Sequence, residues 1–143
     1  MAHLHTMAEP PGSHVPPDFR QARYPSRVYH GEHRSQGDVV TVFDSALPRC
    51  EGNPRALSLQ AAHAVRQVSP CFGWGVEDEN SLQLAIALLI DVSGDPDVAL
   101  RWCEAFASTY VARLPQIWTV PEIDIALWLY CYDNARGDAL PGR

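Results

Sequence analysis

The sequence predicts an α+β domain in which a small antiparallel sheet, led by an N-terminal hairpin, packs against a three-helix C-terminal unit. Three observations predict this class. Two β-rich runs lie between residues 26 and 43, an almost wholly apolar run covers Leu82 to Ile90, and two further helix start signals follow. Strands grouped ahead of helices are typical of α+β proteins, whereas regular alternation indicates a parallel sheet.

The first 25 residues differ in composition from the rest of the chain. They contain five of the twelve prolines, three histidines and few apolar side chains that could be buried. Because burial must offset the entropy of ordering, this composition predicts a disordered arm over residues 1–25. We expect one α+β domain over residues 26–135 and a flexible tail over residues 136–143.

The hairpin is predicted from Val28 to Phe43. Its first β-rich run is Ser26 to His30, its second is Asp38 to Phe43, and the polar, glycine-bounded segment Gly31 to Gly37 reads as a longer loop between them. Valine, tyrosine and phenylalanine favour strands. Residues 46–56 are loop-like, and residues 57–68 fit a helix moderately, whereas the family resemblance described below implies a partly extended connection there.

The segment Leu82 to Ile90 is predicted to be a central helix. Apart from Gln83 it is apolar on every side, so in a water-soluble protein it must be buried all round. Acidic residues precede it, and Asn80 or Ser81 can cap it.

Two further helices are predicted after this one. Asp95 and Pro96 form a start signal, and apolar residues recur at helical spacing as far as Tyr110. Thr119 and Glu122 form a capping box that predicts a third helix. Its inward residues are expected to be Ile123, Ala126, Leu127 and Tyr130, with an end before Asn134 and Gly137.

The charge balance and the cysteine pattern argue against several classes of protein. Seventeen acidic against eleven basic residues give a net charge of −6, which makes nucleic-acid binding an unlikely function. The four cysteines include no C-x-x-C pair, and the chain starts without a secretory signal pattern, so we expect reduced thiols in the cytoplasm. No apolar run approaches the roughly 20 residues that span a bilayer.

Several motifs together resemble a bacterial and phage family, the domain of unknown function 6166. They include Tyr29-His30-Gly31-Glu32, Leu47-Pro48-Arg49, Ser69-Pro70, Trp74-Gly75 and the Leu-Ala-rich helix that follows. The resemblance covers roughly residues 28 to 130 and implies a shared fold and mobile-element ancestry. One loop departs from the family pattern, because Val76 to Ser81, which includes the acidic Glu77-Asp78-Glu79, stands where family members have a tyrosine and a glycine-rich run.

A non-enzymatic protein-binding module, phage- or prophage-derived and acting on a host partner, is the leading functional hypothesis. The candidate binding residues are aromatic or polar side chains of the hairpin and of the turn-rich segment Ser69 to Gly75, which we call the tryptophan loop. They are Tyr29, His30, Arg34, Phe72 and Trp74. The alternative is a small hydrolase or transferase with a site around His30, Arg34 and Trp74, using Glu32 and Cys71 as well.

Metal and cofactor sites are not expected, and no catalytic residue is assigned. A zinc site could be assembled only from widely spaced ligands: His30, His33, Cys50, His63 and Cys71. Structural zinc sites show paired, closely spaced ligands. Here the His30-x-x-His33 pair sits on a strand end and loop, and the two cysteines are about twenty residues apart without a paired partner. Cys71 next to Phe72 is more economically a small apolar residue than a nucleophile.

Overall fold

A computed structural model describes residues 26–45 and 54–139. The strands are β1 (Ser26–Arg34), β2 (Gly37–Ser45), β3 (Arg55–Ala56) and β4 (Ile117–Pro121). The helices are α1 (Leu59–Val65), α2 (Glu79–Ser93), α3 (Pro96–Thr109), a 3₁₀ turn (Val111–Arg113) and α4 (Glu122–Ala139). The predicted arm, the Leu47-Pro48 turn and the last four residues of the predicted tail lie outside the described residues.

The predicted hairpin is present, but its loop is shorter than expected. Strand β1 continues to Arg34, which pairs with Gly37, so that Ser35 and Gln36 alone form the turn. Gly37 has a φ of 126°, a conformation that favours glycine and explains why the reversal occurs there. Of the polar residues that suggested a loop, Glu32 and Arg34 are instead outward-facing side chains of a regular strand.

The sheet has four strands in the order β3-β2-β1-β4, all antiparallel. Strand β4 was not predicted, and the predicted capping box is wrong. Thr119 lies within β4, opposite His30, and the Glu122 carboxylate accepts the backbone N–H of Arg27 at 3.0 Å. The glutamate therefore links helix α4 to β1. Pro121 is the last residue of β4, and the helix begins at the next residue.

Helix α2 is the centre of the fold, as predicted. Six consecutive residues, 84–89, are at most 1% exposed, and the helix contacts α1, α3, α4 and the 3₁₀ turn. Asp78 caps its N-terminus by accepting the Ser81 N–H, a role that had been assigned to Asn80 or Ser81. Gly94, with a φ of 69°, ends it.

Gln83 is the polar exception in this helix, and it too is fully buried. Its Oε1 accepts the backbone N–H groups of Val68 at 2.6 Å and Ser69 at 2.9 Å, and its Nε2 donates to the Arg66 carbonyl at 3.1 Å. A buried amide without partners is costly, whereas here both ends of the group are satisfied. Gln83 thus fixes the connection that leads from α1 to the tryptophan loop.

Helices α3 and α4 pack through aromatic side chains. Trp128 makes edge contacts with Trp102 and Phe106, and it stacks on Tyr132 with ring centroids 4.1 Å apart. The predicted phase of α4 is wrong, because Ile125, Trp128, Leu129 and Tyr132 face inward while Ile123, Leu127 and Tyr130 face outward. Helix α4 also continues to Ala139, past its predicted end.

Asp91 joins the sheet to the end of α2. Its carboxylate accepts the Tyr29 hydroxyl at 2.6 Å and lies 3.3 Å from the Arg55 guanidinium. Arg27 donates to the Asp91 carbonyl at 2.8 Å and also pairs with Glu122. Tyr29 is completely buried, and its hydroxyl donates to the Asp91 carboxylate and also interacts with the Arg27 side chain.

We expect Gln83→Leu to lower the free energy of unfolding by about 3 kcal/mol, because two N–H groups and one carbonyl would lose their partner in a buried position. Gln60→Leu, at an exposed position of α1, is the control and should change stability by less than about 0.5 kcal/mol. Urea denaturation measures both. Equal effects of the two substitutions would contradict the role assigned to Gln83.

Tyr29→Phe should cost about 1 kcal/mol near neutral pH and make the protein less sensitive to alkali. Burial, followed by the hydrogen bond to Asp91, raises the pKa of Tyr29 far above its ordinary 10.0. Above about pH 10 the unfolded chain therefore loses a proton that the folded chain keeps, and stability falls as pH rises. Tyr130→Phe, on the exposed face of α4, is the matched control. A wild-type alkaline slope that survives in Tyr29→Phe would refute this account.

Candidate functional site

The outer face of β1, on the side away from the helices, carries a row of polar side chains. His30 shares a hydrogen bond of 2.9 Å with Thr119 and one of 3.1 Å with Glu32. Arg34 donates from Nε to the other oxygen of Glu32 at 2.8 Å. Residues at i, i+2 and i+4 of a strand share one face, and Thr119 is the cross-strand neighbour of His30.

The Glu32 carboxylate determines which atoms donate and which accept in this row of hydrogen bonds. A carboxylate only accepts, so the Nε2 of His30 carries the hydrogen that Glu32 receives, and in neutral His30 the Nδ1 accepts from the Thr119 hydroxyl. Hydrogen bonds from Arg34 and then from His30 hold the pKa of the Glu32 carboxyl below its usual range. A hydroxyl, an imidazole and a carboxylate in series resemble a nucleophile with its base. However, these three groups lie on an open face of the sheet, and each is hydrogen-bonded to its neighbour in the row.

The inner face of β1 packs against tryptophan side chains. Trp118 lies over Gly31, where a Cβ atom would come within 2.3 Å of the indole ring, and it contacts Trp74 edge to face. Trp74 in turn stacks on His33 with ring centroids 4.6 Å apart and donates from Nε1 to the Gln116 carbonyl. Glycine at position 31 is therefore required for close approach of β4.

The predicted binding residues do not form one site. Tyr29, Phe72 and Trp74 are 0%, 9% and 5% exposed and belong to the core, whereas His30 and Arg34 lie on the opposite face of β1. Because successive residues of a strand point to opposite faces, Tyr29 and His30 could not have shared a site without a bulge. The sequence predicted the strand but not the separation of its two faces.

The other candidate metal ligands that the structure describes, His63 and Cys71, have different surroundings. His63 donates from Nε2 to the Ser69 carbonyl at 2.7 Å, Cys71 is exposed, and Cys50 lies outside the described residues. Within residues 26–45 and 54–139, no three metal-ligating side chains come together.

The acidic loop ahead of α2 has one structural task. Asp78 caps the helix, and Glu79 lies in its first turn, where negative charge is favourable. Glu77 borders an open depression of about 280 Å³, together with Val76, Ser108, Ala112 and Arg113. The depression is shallow and contains one opposite pair of charges, which gives it no defined chemistry.

The outer face of α4 was missed by sequence reasoning. Ile123, Leu127 and Tyr130 are 39%, 42% and 44% exposed and occur at i, i+4 and i+7, so they form one apolar line that we call the α4 stripe. It lies opposite the inward residues Ile125, Trp128 and Leu129. The signal was present in the sequence, because nine of the ten residues from 123 to 132 are apolar or aromatic, and a helix at the edge of a domain cannot bury both faces.

Over residues 122–133, where the structure describes the side chains of α4, every charged residue is acidic. Glu122, Asp124 and Asp133 are the charged residues among the described side chains of this helix, and Glu122 is engaged by Arg27. Asp124 and Asp133 are exposed. Burial and the nearby Asp124 carboxylate both raise the pKa of the Tyr110 hydroxyl. The α4 stripe is therefore an apolar surface with acidic flanks.

A search for membrane-spanning segments among the described residues found no helix of sufficient length and apolar character.

Comparison with known proteins identifies the family. No significant match was found among curated proteins or among solved structures. A family model matches residues 29–130, which is more than half of the chain and includes most of β1, the tryptophan loop, α2 and the whole α4 stripe. The match confirms the resemblance found in the sequence: the chain belongs to the Family of unknown function (DUF6166).

Proposed function

We propose that this protein is a non-enzymatic protein-binding module that contacts its partner through the α4 stripe. The observation that supports the proposal is the exposure of Ile123, Leu127 and Tyr130 along a single helical face. Apolar residues scattered singly over a surface are ordinary, whereas a contiguous apolar line is typical of an interaction site. Anchors at i, i+4 and i+7 are those by which helices dock onto apolar partners.

The packing of α4 supports the same choice. Its inner face is held by Ile125, which is fully buried, and by the aromatic contacts of Trp128 with α3. The helix can therefore present its outer face without refolding, so the ordering cost of binding is low. Tyrosine is also among the residues enriched in binding hot spots.

A hydrolase or transferase around His30, Arg34 and Trp74 is the weaker alternative. Trp74 is on the inner side of the sheet and His30 on the outer side, so the three residues cannot line one pocket. The Thr119–His30–Glu32 row faces solvent, and a catalytic site needs a concave wall that orients substrate and excludes water. Cross-strand hydrogen bonding sufficiently explains that row.

The biological setting belongs to the proposal as well. We place the module in the cytoplasm, as a phage- or prophage-derived accessory protein that acts on a host partner. The genes that flank its coding sequence test this placement. A phage or defence-system cluster would support it, and a metabolic operon would contradict it.

Site-specific photo-crosslinking in the native host should capture a partner when the crosslinker replaces Leu127. The matched control is Leu100 on α3, which is 44% exposed compared with 42% for Leu127. A crosslinked species at position 127 that is absent at position 100, and that disappears when Ile123→Asp is added, is the expected result. Leu127→Asp should change unfolding free energy by no more than about 0.5 kcal/mol, because the site is half exposed. Identical products at both positions, or none at position 127, would contradict the proposed function.

A further inference from the structure

We infer that the partner segment covering the α4 stripe is an amphipathic helix whose apolar line is flanked by lysine or arginine. The inference rests on the proposed function and adds the chemistry of the partner. The observation that carries it is the pair of exposed carboxylates beside the stripe, Asp124 and Asp133.

The helical period places one carboxylate on each side of the stripe. Asp124 lies three residues before Leu127, and Asp133 lies three residues after Tyr130, so the two project from opposite flanks. A helix that packs along the stripe must present its own flanking side chains to both carboxylates. Basic residues at those positions would form ion pairs at the rim, which steer association and reject acidic partners.

The acidic character of this surface agrees with the charge of the whole protein. The negative charge of Asp124 contributes to the raised pKa of the nearby Tyr110 hydroxyl. The whole protein carries a net charge of −6. An anionic protein presents a favourable long-range field to a cationic segment. The partner is therefore distinguished from other apolar helices by its charge.

A second copy of this chain fits the stripe poorly. A symmetric pair would place two Asp124 and two Asp133 side chains around one small interface, where like charges repel one another. The stripe spans seven residues, roughly 10 Å at 1.5 Å per residue, so little apolar area is available to offset that repulsion. Charge thus favours a different, basic protein over self-association.

Two synthetic helical peptides with the same leucine line, one flanked by lysines and one by glutamates, provide the test. We expect the intact protein to bind the lysine peptide at least about tenfold more tightly at low salt, with the preference shrinking near 0.3 M salt because the ion pairs are screened. Fluorescence anisotropy measures both affinities. Leu127→Asp should abolish binding, whereas Leu100→Asp should leave it unchanged.

The charge contribution is tested with the double variant Asp124→Asn/Asp133→Asn. Its affinity for the lysine peptide should fall several-fold and its salt dependence should flatten, while binding of the glutamate peptide improves. Asp124 also lies in the first turn of α4, so the unfolding free energy of the variant is measured in parallel to show that the helix is intact.

Three results would overturn the inference. They are equal affinity for the two peptides, binding of neither peptide, and sedimentation analysis that shows a wild-type dimer lost in Leu127→Asp. If crosslinking at position 127 succeeds while the lysine peptide fails, only the partner chemistry is wrong. If position 127 captures nothing, the proposed function is wrong too.

Discussion

The structure depends on the complete burial of helix α2. Because residues 84–89 have no solvent-facing side, other elements must surround the helix, and α1, α3, α4 and the 3₁₀ turn all contact it. Its one amide side chain, Gln83, could be buried only because the 66–69 connection supplies two N–H groups and a carbonyl. The same hydrogen bonds place the loop that leads to Trp74, and the Asp91 carboxylate near the end of α2 receives Tyr29 from the sheet. Burial of one helix therefore positions both faces of the molecule.

The arrangement around α2 also explains where reactive side chains can and cannot meet. Strand β1 is attached to the rest of the domain by its inner face, through Tyr29 and through the close approach of Trp118 to Gly31. Its outer face is left with His30, Glu32 and Arg34, which satisfy one another and Thr119. Helix α4 lies at the edge of the domain and contacts it along a single face. Its other face is apolar with acidic flanks, and this combination distinguishes it from an ordinary solvated helix.

Several elements could be predicted from local rules. The central helix was recognisable because an apolar run without polar positions must be enclosed, and the start of α3 because Asp95 and Pro96 satisfy the needs of a helix N-terminus. Strand β4 and the phase of α4 could not be predicted in this way. Thr119-Val120-Pro121-Glu122 satisfies the capping-box pattern, and the pairing of Thr119 with His30, 89 residues away, decided against it.

The fold class, the hairpin and the buried helix could be predicted from the sequence, because each arises from propensity or periodicity within a short window. The negative net charge follows from composition. The tertiary structure decided which face of each element is covered. It buried Tyr29, Phe72 and Trp74, which had been expected to bind a partner, and it exposed Ile123, Leu127 and Tyr130, which had been expected to be core. In α4 both faces are apolar, so local hydrophobicity could not choose between them. The choice was made by contact of Trp128 with Trp102 and Phe106 of α3 and by the tie between Glu122 and Arg27.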